Sequence, residues 1–270
     1  ESAMTAIMEI ENVMKKKSNK AKVSGFSFVL MILMLMPLSA NAITKQNADD
    51  EYAKGNYQQA IKDYQEILKA GVSSEIYYNL GNAYYRTDNI TQALLAYERA
   101  LQLSPGDNDI RFNLQYARSK TIDKITPETE MFFVTWYNSL VNFTSVDRWA
   151  KTAIVSIVMA LLLILVFLFA PQMWARKSGF YGSAVFLLLF AFANLFAFQQ
   201  KHELETKQGA IVIAPTVNVK KTPAASGTDV FVIHEGTRVD ITDRGMKQWR
   251  GIKLADGREG WLKTSQIEEI

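Results

Sequence analysis

The sequence predicts a multidomain membrane protein made of an all-α helical repeat, a two-helix transmembrane hairpin and a small all-β barrel at the C-terminal end. Three observations predict it. Residues 74–107 fill a 34-residue period, and residues 152–169 and 180–198 are two long runs without charge. From residue 210 onward the apolar pattern changes from a helical to an alternating period. At 270 residues the chain is also longer than one ordinary domain.

Composition narrows the chemistry. The absence of Cys excludes disulfides, thiolate metal sites, iron–sulfur clusters and a cysteine nucleophile. The only two His, His202 and His234, leave too little for an imidazole metal centre. No cofactor is expected. Residues 1–42 hold five Lys and three Glu, so the remainder carries 25 basic and 24 acidic side chains, a balance that offers no footprint for nucleic acid. With no nucleophile–base pair, metal set or Gly-rich phosphate loop to nominate, neither an enzyme nor a small-molecule substrate is expected.

Residues 1–42 read as an extended start followed by a secretory signal peptide. Lys15, Lys16, Lys17, Lys20 and Lys22 precede an apolar run, 26–36, that is too short to span a bilayer. Pro37 breaks the run, and Ala40-Asn41-Ala42 supplies the small residues a signal peptidase requires, so cleavage is expected after Ala42. An uncleaved anchor is the alternative. No Cys follows, which excludes a lipid-anchored lipoprotein.

The runs at 152–169 and 180–198 reach about 27–29 Å as helix, the thickness of a bilayer core. They predict spans at 152–170 and 180–198, after a juxtamembrane segment at 127–151 and before a linker at 199–209. The loop 171–179 carries Arg176 and Lys177 and no acid, which favours the cytoplasm. Both flanking domains are then expected in the periplasm, on the outer side of a bacterial inner membrane. Trp136, Tyr137, Trp149, Trp174 and Tyr181 are either headgroup-level rings or packing between juxtamembrane helices. No acid or base lies inside either run, so an ion pathway has no carrier.

Within 43–126, with Ser74 as position one, Tyr77, Leu80, Gly81, Tyr84, Ala93, Tyr97, Ala100 and Pro105 fall at positions 4, 7, 8, 11, 20, 24, 27 and 32. These positions resemble the tetratricopeptide signature, in which small residues let two antiparallel helices cross closely and large ones fill the space around them. An earlier copy at a 33-residue offset aligns Ala48, Ala60 and Tyr64 with Gly81, Ala93 and Tyr97, around a turn at Gly55-Asn56-Tyr57. Residues 109–120 read as a solvating cap. Two repeats with a cap are near the minimum that buries a continuous core, so help from the membrane-proximal helix or a partner is expected.

The resemblance implies a concave peptide groove lined by Glu75, Tyr78, Asn82, Tyr85 and Arg86, continued by Asp109, Phe112, Asn113, Tyr116 and Lys120. Asn82 and Asn113 either hold a peptide backbone, since an amide offers both donor and acceptor, or bond one repeat to the next. Tyr78 stands where recognition of a chain terminus would need Lys, so that mode is not expected.

From 210 to 270, five short strands are expected around Val217/Val219, Val230/Val232, Val239/Ile241, Trp249/Gly251/Lys253 and Trp261, with turns such as Asp256-Gly257 between them. Val217-Asn218-Val219, Glu235-Gly236-Thr237-Arg238-Val239 and Asp256-Gly257-Arg258-Glu259-Gly260-Trp261 resemble a bacterial SH3 domain, with Lys220 in place of the usual Arg. Trp249 and Trp261 are either core or a ligand surface, and His234 has no neighbour in sequence to make it a metal ligand.

The whole order of parts resembles the BatE family of the Bacteroides aerotolerance operon, over roughly residues 14–270. That resemblance implies partners in the membrane, namely von Willebrand A-domain Bat proteins beside a MoxR-type ATPase, and a part in tolerance of oxygen or oxidative stress. The expected function is a non-enzymatic scaffold held in membrane lipid. The alternative is a cell-wall binding or sensing protein that engages peptidoglycan through the SH3-like part.

Overall fold

The computed structural model describes residues 44–129, 131–206 and 209–270; the expected signal peptide and its cleavage site lie outside them. Five helices open the described chain: α1 (Lys45–Ala53), α2 (Tyr57–Ala70), α3 (Ser74–Arg86), α4 (Ile90–Leu103) and α5 (Asn108–Arg118). Side-chain caps set the starts of α1 and α5. The Thr44 side chain accepts from the Asn47 N–H while Asn47 accepts from the Thr44 N–H, and Asp107 accepts from the N–H groups of Asp109 and Ile110. The turns between α1 and α2 and between α3 and α4 each need a left-handed residue, Gly55 (φ 85°) and Asp88 (φ 58°), again 33 residues apart.

Packing then explains the residue sizes. A Cβ on Gly81 would lie 2.6 Å from the Tyr97 ring, so α3 and α4 cross at this distance only with glycine present. Ala48, Ala60, Tyr64 and Ala83 fill the core of the first pair, and Ala93, Leu94, Tyr97, Leu114 and Ala117 that of the second. Helix α5 is therefore more than a solvating cap, since it buries Ile110, Leu114 and Ala117.

Helix α6 (Phe132–Val141) leads into α7 (Val146–Phe169) and α8 (Met173–Thr206), an antiparallel pair. Both are long and apolar enough to cross a membrane, and only 17% and 11% of their apolar windows is buried, whereas the core helix of a soluble protein would be mostly covered. The expected loop at 171–179 is corrected: the break is confined to 170–172, and Met173 already begins a helix. At this tip the Arg176 Nε–H donates to the Phe167 carbonyl at 3.2 Å, satisfying a helix end. The expected linker at 199–209 is also corrected, because α8 continues to Thr206 as its apolar face gives way to Lys201, Glu203 and Glu205.

Small residues draw the hairpin together. Ala153, Ser156, Ala160, Ser183 and Ala193 are buried, and a Cβ on Gly179 would meet backbone atoms of Leu163 and Phe167 at 2.7 Å. Backbone cannot swing aside as a side chain can, so Gly179→Leu is expected to cost at least about 1–3 kcal/mol through overpacking. The measurement is thermal unfolding in detergent; an unchanged midpoint would mean that the helices do not touch there.

The C-terminal part is a seven-stranded antiparallel sheet in the order β3-β2-β6-β5-β4-β1-β7. The strands are β1 (Gly209–Val212), β2 (Thr216–Lys220), β3 (Asp229–His234), β4 (Arg238–Asp243), β5 (Trp249–Lys253), β6 (Glu259–Lys263) and β7 (Ile267–Glu269). Two more strands form than the five expected, β1 and β7, which pair with each other. Laid flat, seven strands at about 4.8 Å spacing would hold their outer members nearly 30 Å apart. Yet residues of all seven, from Ala210 and Val217 through Ile233, Val239, Ile252 and Leu262 to Ile267, share one core, so the sheet curls around it.

The inward face of β3 is not that of the Val230/Val232 pair around which the strand was expected. Ile233 is buried and Phe231 packs on the core, while Val230 and Val232 are exposed. The strand is apolar on both faces, so alternation could not choose between them.

The sheet packs on the repeat. The Arg99 Nη2–H donates to the Glu269 carbonyl at 2.6 Å, Gln92 donates to Glu268, and buried Glu98 pairs with Arg118 and faces Arg238 at 3.6 Å. A Cβ on Gly236 (φ 81°) would meet Leu94 at 3.1 Å. The sheet is not among the expected supports of the repeat, which are the membrane-proximal helix or a partner.

Candidate functional site

The concave side of the repeat opens as a groove of about 530 Å³. Six of the expected residues line it: Asn82, Tyr85, Arg86, Phe112, Asn113 and Tyr116. Phe112 and Tyr116 are 69% and 51% exposed, which is large for aromatic side chains on a folded surface. The Tyr85 and Tyr116 rings lie 5.7 Å apart, and Lys120 sits over Tyr116.

The other expected residues lie elsewhere. Tyr78 stands behind the wall, its hydroxyl accepting from Asn113 Nδ2 at 2.9 Å and its ring 6.0 Å from that of Tyr97. Glu75 pairs with Lys45 at 3.0 Å, and Asp109 is exposed in the first turn of α5; neither lines the groove.

Two lining residues were not expected, Tyr52 and Tyr97. The repeat offset carries the signal for Tyr52, since 33 residues map it onto Tyr85. The Tyr52 hydroxyl beside Arg86, first of all, holds the Arg86 pKa above the usual arginine value. Burial, first of all, raises the Tyr97 phenol.

The same offset relates two polar constellations. In the first repeat Asp49 accepts from the Tyr64 hydroxyl at 2.6 Å, from Asn79 at 3.1 Å and from Lys45 at 2.7 Å. Burial alone would raise its pKa, but these donors outweigh it and hold the carboxyl below the usual range. In the second repeat Asn82 Oδ1 takes the place of the carboxylate, accepting from the Tyr97 hydroxyl at 2.8 Å and from Asn113 Nδ2 at 3.0 Å.

The difference lies in what is left over. Asp49 is an acceptor only, and three donors occupy it. Asn82 keeps its Nδ2 hydrogens and Asn113 its Oδ1, neither with a partner among the described residues, so the groove wall offers a free amide donor and a free amide acceptor.

On the β sheet, Trp249 and Trp261 are not core. The register pairs Gly251 with Trp261 and Trp249 with Lys263, which puts both rings on the face opposite Ile252 and Leu262. They are half-buried diagonal neighbours across Gly251. His234 has a partner that its sequence neighbourhood did not show: Asp123, after α5, accepts from the His234 backbone N–H at 2.6 Å and from the Thr237 hydroxyl at 2.6 Å, and faces His234 Nδ1 at 2.9 Å.

Stacked helix pairs with an open, aromatic concave face define a class, the helical repeats that bind other proteins. The tetratricopeptide repeat family matches residues 46–108, which run from the second residue of α1 through α4 with the turns between them. Repeats of this family act in protein–protein interaction. No curated protein matches the chain.

Proposed function

We propose that this protein is a non-enzymatic membrane scaffold, in which α7 and α8 hold a peptide-binding groove at the surface of a bacterial inner membrane, on its periplasmic side. One observation carries the reading: the groove presents aromatic walls around an unpaired amide donor and an unpaired amide acceptor, the complement of a peptide unit. The hairpin supports it, because its tip lies at 170–172 and both of its outer ends join the repeat and the sheet. Those parts therefore share one side of any bilayer it crosses. The resemblance to the Bacteroides aerotolerance family supplies the class of partner, a von Willebrand A-domain membrane protein working with a MoxR-type ATPase.

The test is photocrosslinking in native membranes from a reactive residue at Tyr116. The expected result is capture of such a membrane protein, weakened roughly 5–30-fold by Asn82→Ala or Asn113→Ala, the equivalent of about 1–2 kcal/mol from a lost hydrogen bond. Capture that both variants leave unchanged would place the contact outside the groove.

The outward placement of Trp249 and Trp261 favours a second reading, binding of peptidoglycan peptides by the sheet, which resembles a bacterial SH3 domain. Retention of the protein on purified cell wall, lost in Trp249→Ala, is its expected signature.

A further inference from the structure

Helix α6 has three differently occupied sides. At 100° per residue, Phe132, Trp136, Leu140, Phe133 and Tyr137 follow one another around an arc of about 140°. All five are exposed, Phe132 by 85% and Trp136 by 65%. The next sector holds Val141, which is buried, and Asn138 and Val134, which are partly covered. The last holds Thr135 and Ser139, exposed and polar. A helix at a protein–water surface would not turn its aromatic side outward, and one in a protein core would have no polar exposed edge.

What lies against that aromatic side follows from the neighbours of α6. No acidic or basic residue occurs from 131 to 146, and α7 starts at the end of that stretch. The far end of α6 is fixed to α8 where the apolar run of α8 stops. Gln200 Nε2 donates to the carbonyls of Val141 and Thr144 at 2.9 and 2.7 Å, and the Tyr137 ring lies 6.3 Å from that of Phe196. The Trp149 indole N–H donates to the Val141 carbonyl at 2.9 Å, clamping the α6–α7 turn. The exposed aromatic side is thus continuous with the lipid-facing surface of the hairpin, at the level where chains meet headgroups.

We infer that α6 is a monotopic interfacial helix whose Phe132–Trp136–Leu140 face is embedded in the lipid headgroup–acyl boundary, with Thr135 and Ser139 in water. The inference rests on the reading of α7 and α8 as membrane spans. It gives the repeat a second attachment to the bilayer, which fixes the height of its groove above the lipid.

The Cys-free sequence permits a direct test with single-cysteine variants of the full chain, spin-labelled and reconstituted in phospholipid vesicles. Collision with oxygen, concentrated in lipid, is compared with collision with a water-soluble nickel chelate. Labels at Phe132, Trp136 and Leu140 are expected to lose contact with the chelate and retain contact with oxygen, and labels at Thr135 and Ser139 to show the reverse. A label at Leu188, exposed in mid-hairpin, tests the underlying reading: if it meets the chelate, the hairpin does not span the bilayer. If Leu188 is in lipid and Trp136 meets the chelate, α6 lies in water and the inference alone fails. If Trp136 meets neither reagent, protein covers the face, either a second copy or a partner, and the lipid assignment is overturned.

Discussion

Replacing Tyr97 by Ala is expected to cost about 3–5 kcal/mol, the range for deleting a large buried aromatic side chain. Tyr97 is 2% exposed, packs against the space that Gly81 leaves open, and donates its hydroxyl to Asn82. The truncation therefore opens a cavity at the α3–α4 crossing and removes one of the two groups that hold the groove amide. Tyr97→Phe separates these effects. It keeps the ring and loses only the hydrogen bond, at about 1 kcal/mol. Chemical denaturation of the detergent-solubilised chain, followed by helical circular dichroism, reads both. Equal losses for Ala and Phe would show that packing at this crossing contributes little.

The second large effect is expected at Asp123, remote from the groove. Asp123→Ala leaves the His234 backbone N–H and the nearly buried Thr237 hydroxyl without an acceptor, at about 1–3 kcal/mol for each. Burial raises the Asp123 pKa, but the Thr237 and His234 hydrogen bonds outweigh it and hold the carboxyl below its usual value. A depressed folded pKa stabilises the fold above the unfolded value, near pH 4, and that contribution is lost as pH falls through the lower folded value. Stability measured between pH 6 and pH 3 should accordingly fall more steeply for the native chain than for Asp123→Asn, which keeps an acceptor but does not titrate. Parallel curves would falsify this role.

The repeat was legible because its period is written in residue size. Gly81 and Tyr97 must be small and large where the helices cross, and Ala48 and Tyr64 say the same 33 residues earlier. The two long apolar helices were legible from the absence of charge, but their ends were not. Lys201 and Glu203 stop an apolar run without stopping a helix, and 171–179 is polar enough to resemble a loop while Met173 onward still forms backbone hydrogen bonds. In the sheet, β1 is four buried residues beside a long helix and β7 only three, too short for alternation to register. Asp123 lay beyond any local signal, since its partners are 111 and 114 residues away. Of the groove, the part on α3 and α5 followed from the repeat positions; Tyr52 required carrying the offset back into the less regular first copy.

The distance from Asp123 to its partners has a consequence for how the chain comes into being. At synthesis rates of about 5–20 residues per second, roughly 5–20 s pass between the emergence of residue 123 and that of His234. During that interval the segment 121–128 has no sheet to lie against, and Leu94 and Arg99 on α4 have no cover. On the proposed reading of α7 and α8 as spans, the hairpin enters the bilayer between the two events, so this late contact closes over a repeat already tethered at the lipid surface. The nascent repeat is thus most open to proteases and to mispairing before the sheet is made, and slow insertion of the proposed spans would lengthen that exposure.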